Sequence, residues 1–214
     1  MPTYDLQDIL NLEKFHRVSL INKMSGLRSA NLIGTKGSSG VSNLAVFNSV
    51  THIGAKPPLL GFILRPLLVE RHTYNNIKEN KYYTINHVNK EIHQNAHMSS
   101  AKYPSDVSEF NQCGLTEVYI DDFPAPFVEE SKIKIGLSFQ EEVLINSNKT
   151  ILMIGRVEKI ILPDEGITED GDVDFEALDT VGTGGLDTYY ECKRIARYEY
   201  ARPYNDIKKI EKSK

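Results

Sequence analysis

Arg65, Arg71 and Thr73 lie just ahead of Tyr74-Asn75-Asn76-Ile77-Lys78-Glu79, a run that reads as the opening of a helix with Thr73 as its N-cap. A helix start presents unpaired backbone N–H groups and a partial positive charge. Two guanidinium groups beside it would complete a site for an anion such as a phosphate monoester. The same residues also suit a plain cap with both arginines facing solvent.

Something must carry those residues to one place, and the preceding stretch supplies it. Asn43 to Thr51 reads as one imperfectly alternating strand, with Leu44, Val46 and Val50 on one face and Asn43, Ala45, Phe47, Ser49 and Thr51 on the other. Pro57-Pro58 breaks the chain, and Leu59-Leu60-Gly61-Phe62-Ile63-Leu64 resumes as a buried strand. Small side chains on the first strand would let a flat ring reach the backbone. Its N–H and C=O groups could then pair with a ring edge that carries donors and acceptors, as an isoalloxazine does. An ordinary strand with solvent-facing Ser, Thr and Asn is the other reading.

Elsewhere, residues 5–15 form a short amphipathic segment, Tyr82 to Val88 a strand, and 90–101 a polar, helix-compatible stretch. Ser105 is placed to cap a second short helix that Gly114 ends. Lys132 to Phe139 alternates cleanly, and Thr150 to Leu162 is a second long strand. Mostly strands with short helices between them favour an antiparallel barrel over a doubly wound sheet. The cluster Gly182-Thr183-Gly184-Gly185 comes late, lacks the strand-to-helix setting of a dinucleotide fingerprint, and reads as a flexible turn.

Several other chemistries find no support. In the acidic stretch Glu165 to Asp179, a calcium loop counted from Asp170 would have Phe175 and Val181 where it needs Gly and Glu, so the stretch reads as a solvated loop. His93 and His97 are four apart but lack a neighbouring glutamate and a third ligand, so no metal is assigned. There is no Gly-x-Ser-x-Gly elbow, and Cys113 reads as part of a helix end. No conventional acid–base constellation is apparent, which suits a cofactor that carries the electrons itself, so no side chain is assigned as catalytic.

With 214 residues, 40% hydrophobic content and a net charge of −4, the chain is expected to be one domain that avoids nucleic acid. Residues 1–203 are assigned to it and 204–214 to a flexible tail with Lys208, Lys209, Lys212 and Lys214. No apolar run approaches the roughly 20 residues needed to cross a bilayer, so no membrane association is expected. Cys113 and Cys192 lie far apart and are expected to be free thiols in a cytoplasmic protein.

Taken in order, SNLAVFNSVTHIGAKPPLLGFIL, RHTYNNIKENKYYTINHV, Glu109-Phe110, Cys113-Gly114-Leu115-Thr116 and Pro124 to Glu130 resemble the flavin reductase-like family of FMN-binding split barrels. Gly184-Gly185-Leu186-Asp187-Thr188-Tyr189-Tyr190 is similar to a Gly-Asp-Thr-Tyr-Tyr ending in part of that family, with Leu186 inserted. The match spans roughly residues 20 to 203.

The resemblance implies a mainly β, antiparallel split barrel of Greek-key type with short peripheral helices, and FMN as cofactor. Laid onto this sequence, it puts the ring and ribityl chain against Asn43, Leu44, Ala45, Phe47, Asn48, Ser49, Val50 and Thr51. It puts the phosphate against Arg65, Arg71 and Thr73, and brings His97 towards the flavin or its redox partner. It implies a homodimer and an oxidoreductase that passes electrons from NADH or NADPH to flavin or another acceptor. The alternative is a flavoredoxin-like carrier reduced by an electron-transfer protein, and a third reading is a barrel that has exchanged flavin for another ligand. Two departures bear on the choice: Arg71 stands where many relatives have Lys, and the Gly-Asp-x-His motif is absent.

Overall fold

The computed structural model describes residues 1–210; Lys212 and Lys214 of the expected tail lie outside them. The chain opens with helices α1 (Leu6–Asn11) and α2 (Lys14–Met24), followed by strands β1 (Arg28–Ser29), β2 (Asn31–Lys36), β3 (Ser42–Phe47), β4 (Thr51–Ala55) and β5 (Pro58–Leu64). Helix α3 (His72–Asn80), strand β6 (Tyr82–His87), and helices α4 (His93–Met98) and α5 (Glu109–Cys113) come next. Strands β7 (Glu117–Val118), β8 (Phe127–Val128), β9 (Lys134–Ile145), β10 (Thr150–Ile161), β11 (Val181–Gly184) and β12 (Thr188–Glu191) complete the order.

Seven strands form one antiparallel sheet in the order β3-β2-β6-β9-β10-β5-β4. Its two edge strands, β3 and β4, are separated in sequence by only residues 48–50. A connection that short forces the two ends of the sheet together, so the sheet rolls up without a ladder between β3 and β4. Inside the roll, Ile33, Phe62, Leu64, Ile77, Tyr83, Ile85, Leu137, Ile151 and Met153 form one buried cluster. The outer face of β2 and β3 is covered as well, because Leu32 and Leu44 pack with Ala96, Phe110, Cys113, Val128 and Val181. Side chains one residue apart on β2, Leu32 and Ile33, thus enter different cores.

Ser49 explains why the expected strand from Asn43 to Thr51 is broken. Its hydroxyl accepts from the N–H of Ile63 at 3.0 Å and donates to the C=O of Ile63 at 3.2 Å. One side chain therefore does what a strand backbone would have done, and the main chain is released to turn. In consequence Val50 packs with the inner cluster beside Phe47, and not on the face of Leu44 and Val46.

Other expectations are also revised. The amphipathic segment 5–15 is two helices, α1 and the start of α2, neither with a buried residue. Ser108, not Ser105, occupies the cap position of α5, while Gly114 ends it in a left-handed conformation at φ 66° as expected. Gly182 and Gly184 lie in the fully buried strand β11, and only Gly185, at φ 71°, makes a turn. The reason is steric: a Cβ on Gly184 would come within 2.9 Å of the Tyr190 ring, and one on Gly182 within 3.3 Å of Cys192 Sγ.

The acidic stretch is built into the fold, with Asp174 and Leu178 buried. Arg194 donates to Asp172 at 2.8 Å and Arg197 pairs with Asp170, so the segment after β12 ties the stretch down. Beyond it, Glu199 N–H donates to Lys208 C=O and Ile210 N–H to Arg197 C=O, which folds residues 208–210 back onto 197–199. Among the described residues no helix is long and apolar enough to cross a membrane.

Candidate functional site

Strand β3 is an edge strand, and its hydrogen-bond parity decides what it offers. Gly37 N–H donates to Val41 C=O, which makes the odd-numbered residues of β3 the ones bonded to β2. The even-numbered residues Leu44 and Val46 then point their N–H and C=O groups away from the sheet. Leu44 N–H is satisfied by the Glu109 carboxylate at 3.0 Å. Val46 N–H and C=O have no partner among the described residues. Val46 thus offers a donor and an acceptor side by side on an open edge, with the Leu44 C=O next along it, to meet the edge of a planar ligand.

Asn43 lies at the start of the same strand, 6% exposed, and its amide donates to Thr35 Oγ1 at 3.2 Å and Thr73 Oγ1 at 3.1 Å. Thr73, 5% exposed, is therefore not the cap of α3. The helix begins two residues earlier than expected, at His72, with Arg71 in the cap position at φ −129° and ψ 96° and no side-chain cap bond. The Thr73 hydroxyl, inside the first turn, accepts from the Asn43 amide instead.

Arg71 is half-buried, and its Nε is buried without a hydrogen-bond partner. A charged donor left in that state at a helix N-terminus is a place an anion would satisfy. Arg65 is exposed just past the end of β5 and makes no hydrogen bond or ion pair among the described residues. Next to the Asn43–Thr73 link lies a polar cleft of about 130 Å³ lined by Ser39, Ser42, Asn43, Glu70, His72 and Asn75, among others.

The remaining expected residues divide. The Leu44 side chain is fully buried and its N–H is taken, which leaves its C=O as the one group it can turn to a ligand. Ala45 is half-buried, and Phe47 meets Phe62 edge-on at 5.0 Å inside the roll. Asn48 donates its amide to the C=O of Gly185, bringing the β11–β12 turn over the end of β3. Lys23 holds the same turn through Asp187 at 3.3 Å. Ser49 and Val50 are engaged within the barrel as described, and Thr51 is exposed at the start of β4. His97 stands on α4, with Nδ1 3.3 Å from the Tyr189 hydroxyl; burial pushes the ionisation of Tyr189 up.

The flavin reductase-like domain model matches residues 24–175. The chain belongs to the flavin reductase-like family. A crystal structure from Shewanella frigidimarina NCIMB 400, assigned as a flavin reductase with a split barrel domain, is 43% identical and superposes with a TM-score of 0.91 over 94% of this chain and 100% of that one. Nitrilotriacetate monooxygenase component B from Bacillus cereus is 18% identical, with a TM-score of 0.80 over 94% and 98%. Flavoredoxin of Desulfovibrio vulgaris (Miyazaki F) is 20% identical, with a TM-score of 0.69 over 83% and 91%. The first is described as a split barrel, and the last two share that mainly β fold.

For a family whose cofactor is a flavin, the residues present fit. The unpartnered Arg71 Nε suits a phosphate, and the free groups of Val46 suit a pyrimidine edge. Sequence reading passed over two residues that shape this site, Val46 and Glu109. Val46 was readable only as an apolar core position, because the strand order that leaves its backbone open is a tertiary property. Glu109 carried a signal in its place just before Phe110, but its contact with Leu44 spans 65 residues.

Proposed function

We propose that this protein binds FMN and is an oxidoreductase that passes electrons from NADH or NADPH to flavin or another acceptor. The observation that supports this most is a pair of unmet needs joined by one link. Arg71 Nε and the Val46 edge both lack partners, and the Asn43–Thr73 bond ties the strand of one to the helix of the other. An elongated ligand with an anion at one end and a planar donor–acceptor edge at the other satisfies both.

Bound FMN supplies the electron-carrying chemistry. The chain's own part is to hold and orient: Arg71 and the N–H groups at the start of α3 take the phosphate, with Arg65 as an outer charge. Val46 N–H and C=O would hold the ring's pyrimidine edge, and Ala45, Asn48 and the Gly185 turn, which Asn48 holds over the end of β3, would shield it from water. His97 and Tyr189 stand together on α4 and β12, where an acceptor could approach.

Titration of the protein with FMN and with riboflavin tests the binding. FMN should bind at least about tenfold more tightly, since a charge-assisted bond to phosphate contributes about 1.5–3 kcal/mol; equal affinities would remove the phosphate role of Arg71.

A flavoredoxin-like carrier is the second reading, favoured by the β11–β12 turn. Asp187 is engaged by Lys23 and followed by Thr188, so no histidine stands there to meet a nicotinamide. Steady-state oxidation of NADH or NADPH with added FMN separates the readings: turnover far above free flavin supports the enzyme, and none supports the carrier.

The proposal includes a homodimer. Helices α1 and α2 bury no residue and expose Leu6, Leu10, Phe15, Val18 and Ile21, which a second copy would cover. Gel filtration giving a monomer would contradict it. A cytoplasmic location belongs to the same reading and is tested by fractionation.

A further inference from the structure

We infer that Glu109 acts as a redox-linked proton acceptor for the flavin site, taking up a proton as the ring on β3 is reduced. The inference rests on the flavin reading above.

Glu109 opens helix α5 and is 5% exposed. Its carboxylate accepts from Leu44 N–H at 3.0 Å, on the same strand edge that lies open at Val46. Two residues of extended strand separate those positions by about 6.8 Å, so the carboxylate lies close to any ring seated on the Val46 groups. Burial raises its ionisation, opposed by the Leu44 N–H, by its own backbone N–H and by His72.

No arginine, lysine or histidine makes an ion pair with it among the described residues. Of the groups around it, His72 belongs to α3, while Tyr103 and Cys113 interact with it electrostatically. Ser108, its neighbour in sequence, bonds Ser42 at 2.8 Å, and Ser42 in turn donates to Glu117 at 2.5 Å. Of the basic groups, His72 acts on it at a distance and without an ion pair.

Holding the Leu44 N–H needs only a neutral acceptor such as an amide. A buried carboxylate at this place adds a titratable charge that the strand does not require. Reduction places two electrons on the ring with one proton from solvent, and the negative charge that remains disfavours the carboxylate beside it. Glu109 then binds a second solvent proton at a carboxylate oxygen and becomes neutral.

The test compares the midpoint potential of bound FMN in wild type and Glu109→Gln from pH 5 to pH 9, with dithionite as reductant and a dye as indicator. At high pH the variant should favour reduced over oxidised FMN by about tenfold more than wild type, or ~30 mV for two electrons. The gap should close at low pH, where Glu109 is neutral in both redox states. Coincident curves across the range would overturn the inference while FMN binding stands. If Glu109→Gln does not fold, redox difference infrared spectra of wild type decide. A protonated carboxyl C=O band appearing on reduction supports the inference, and its absence overturns it. Wild-type protein that binds no FMN overturns the flavin reading itself, and is seen before any potential is measured.

Discussion

The side-chain amide of Asn43 donates to the hydroxyl of Thr73 across 3.1 Å, so that the strand offering the open edge and the helix offering the anion site are joined by side chains, both nearly buried. This separates the roles of two residues that sequence alone would place together at a phosphate.

Arg71→Ala should weaken FMN by about 1.5–3 kcal/mol, roughly ten- to a hundredfold, and leave riboflavin almost unchanged. Thr73→Val should act differently. It leaves the buried Asn43 amide with Thr35 alone and should cost about 1–3 kcal/mol of stability in urea denaturation. It should also weaken FMN and riboflavin alike, because β3 loses its hold on α3. A phosphate-selective effect at Thr73 would contradict this assignment.

Gly155→Ala should be among the most damaging single changes in the barrel. A Cβ there would lie 2.2 Å from Tyr83 Oη and 2.8 Å from Tyr83 Cζ, and Tyr83 is fully buried. Overpacking of this kind costs about 1–3 kcal/mol or more. Tyr83→Phe removes the nearest atom, so the double variant should recover part of the loss. Strictly additive losses in a double-mutant cycle would show that the two do not meet.

Stability should fall on mild acidification because of His87. Burial pulls its pKa from 6.5 to about 4, and its Nδ1 is buried without a partner beneath the stacked ring of Phe175. As pH drops below 6.5 the unfolded chain takes up the proton first, so stability declines until about pH 4 and then levels off. The full contribution is up to roughly 3 kcal/mol. His87→Phe keeps a flat ring against Phe175 and should flatten this decline in denaturant midpoints measured from pH 7 to pH 4. An unchanged slope would assign it to other groups.

Much of the architecture was legible where periodicity and punctuation agree. The alternation after Lys132, the Pro57-Pro58 break and Gly114 each led to β9, the β4–β5 turn and the end of α5. Failures came where a side chain from elsewhere replaced a local preference. Ser49 took the place of a strand backbone, and the Thr73 hydroxyl, inside the first turn of α3, accepts from the Asn43 amide instead of capping the helix. The glycines at 182 and 184 read as flexible because nothing local shows that Cys192 and Tyr190 would fill the space above them. The candidate site was legible as a stretch of chain, while the two features that give it form, the open Val46 edge and the Glu109 contact, depend on strand order.

The most direct test of the whole account is the visible spectrum of the purified protein after soaking with FMN and desalting. A retained flavin band, lost or much reduced in Arg71→Ala, is the predicted result. A colourless protein, with no FMN binding in a subsequent titration, would contradict the account and leave only the fold in common with the family.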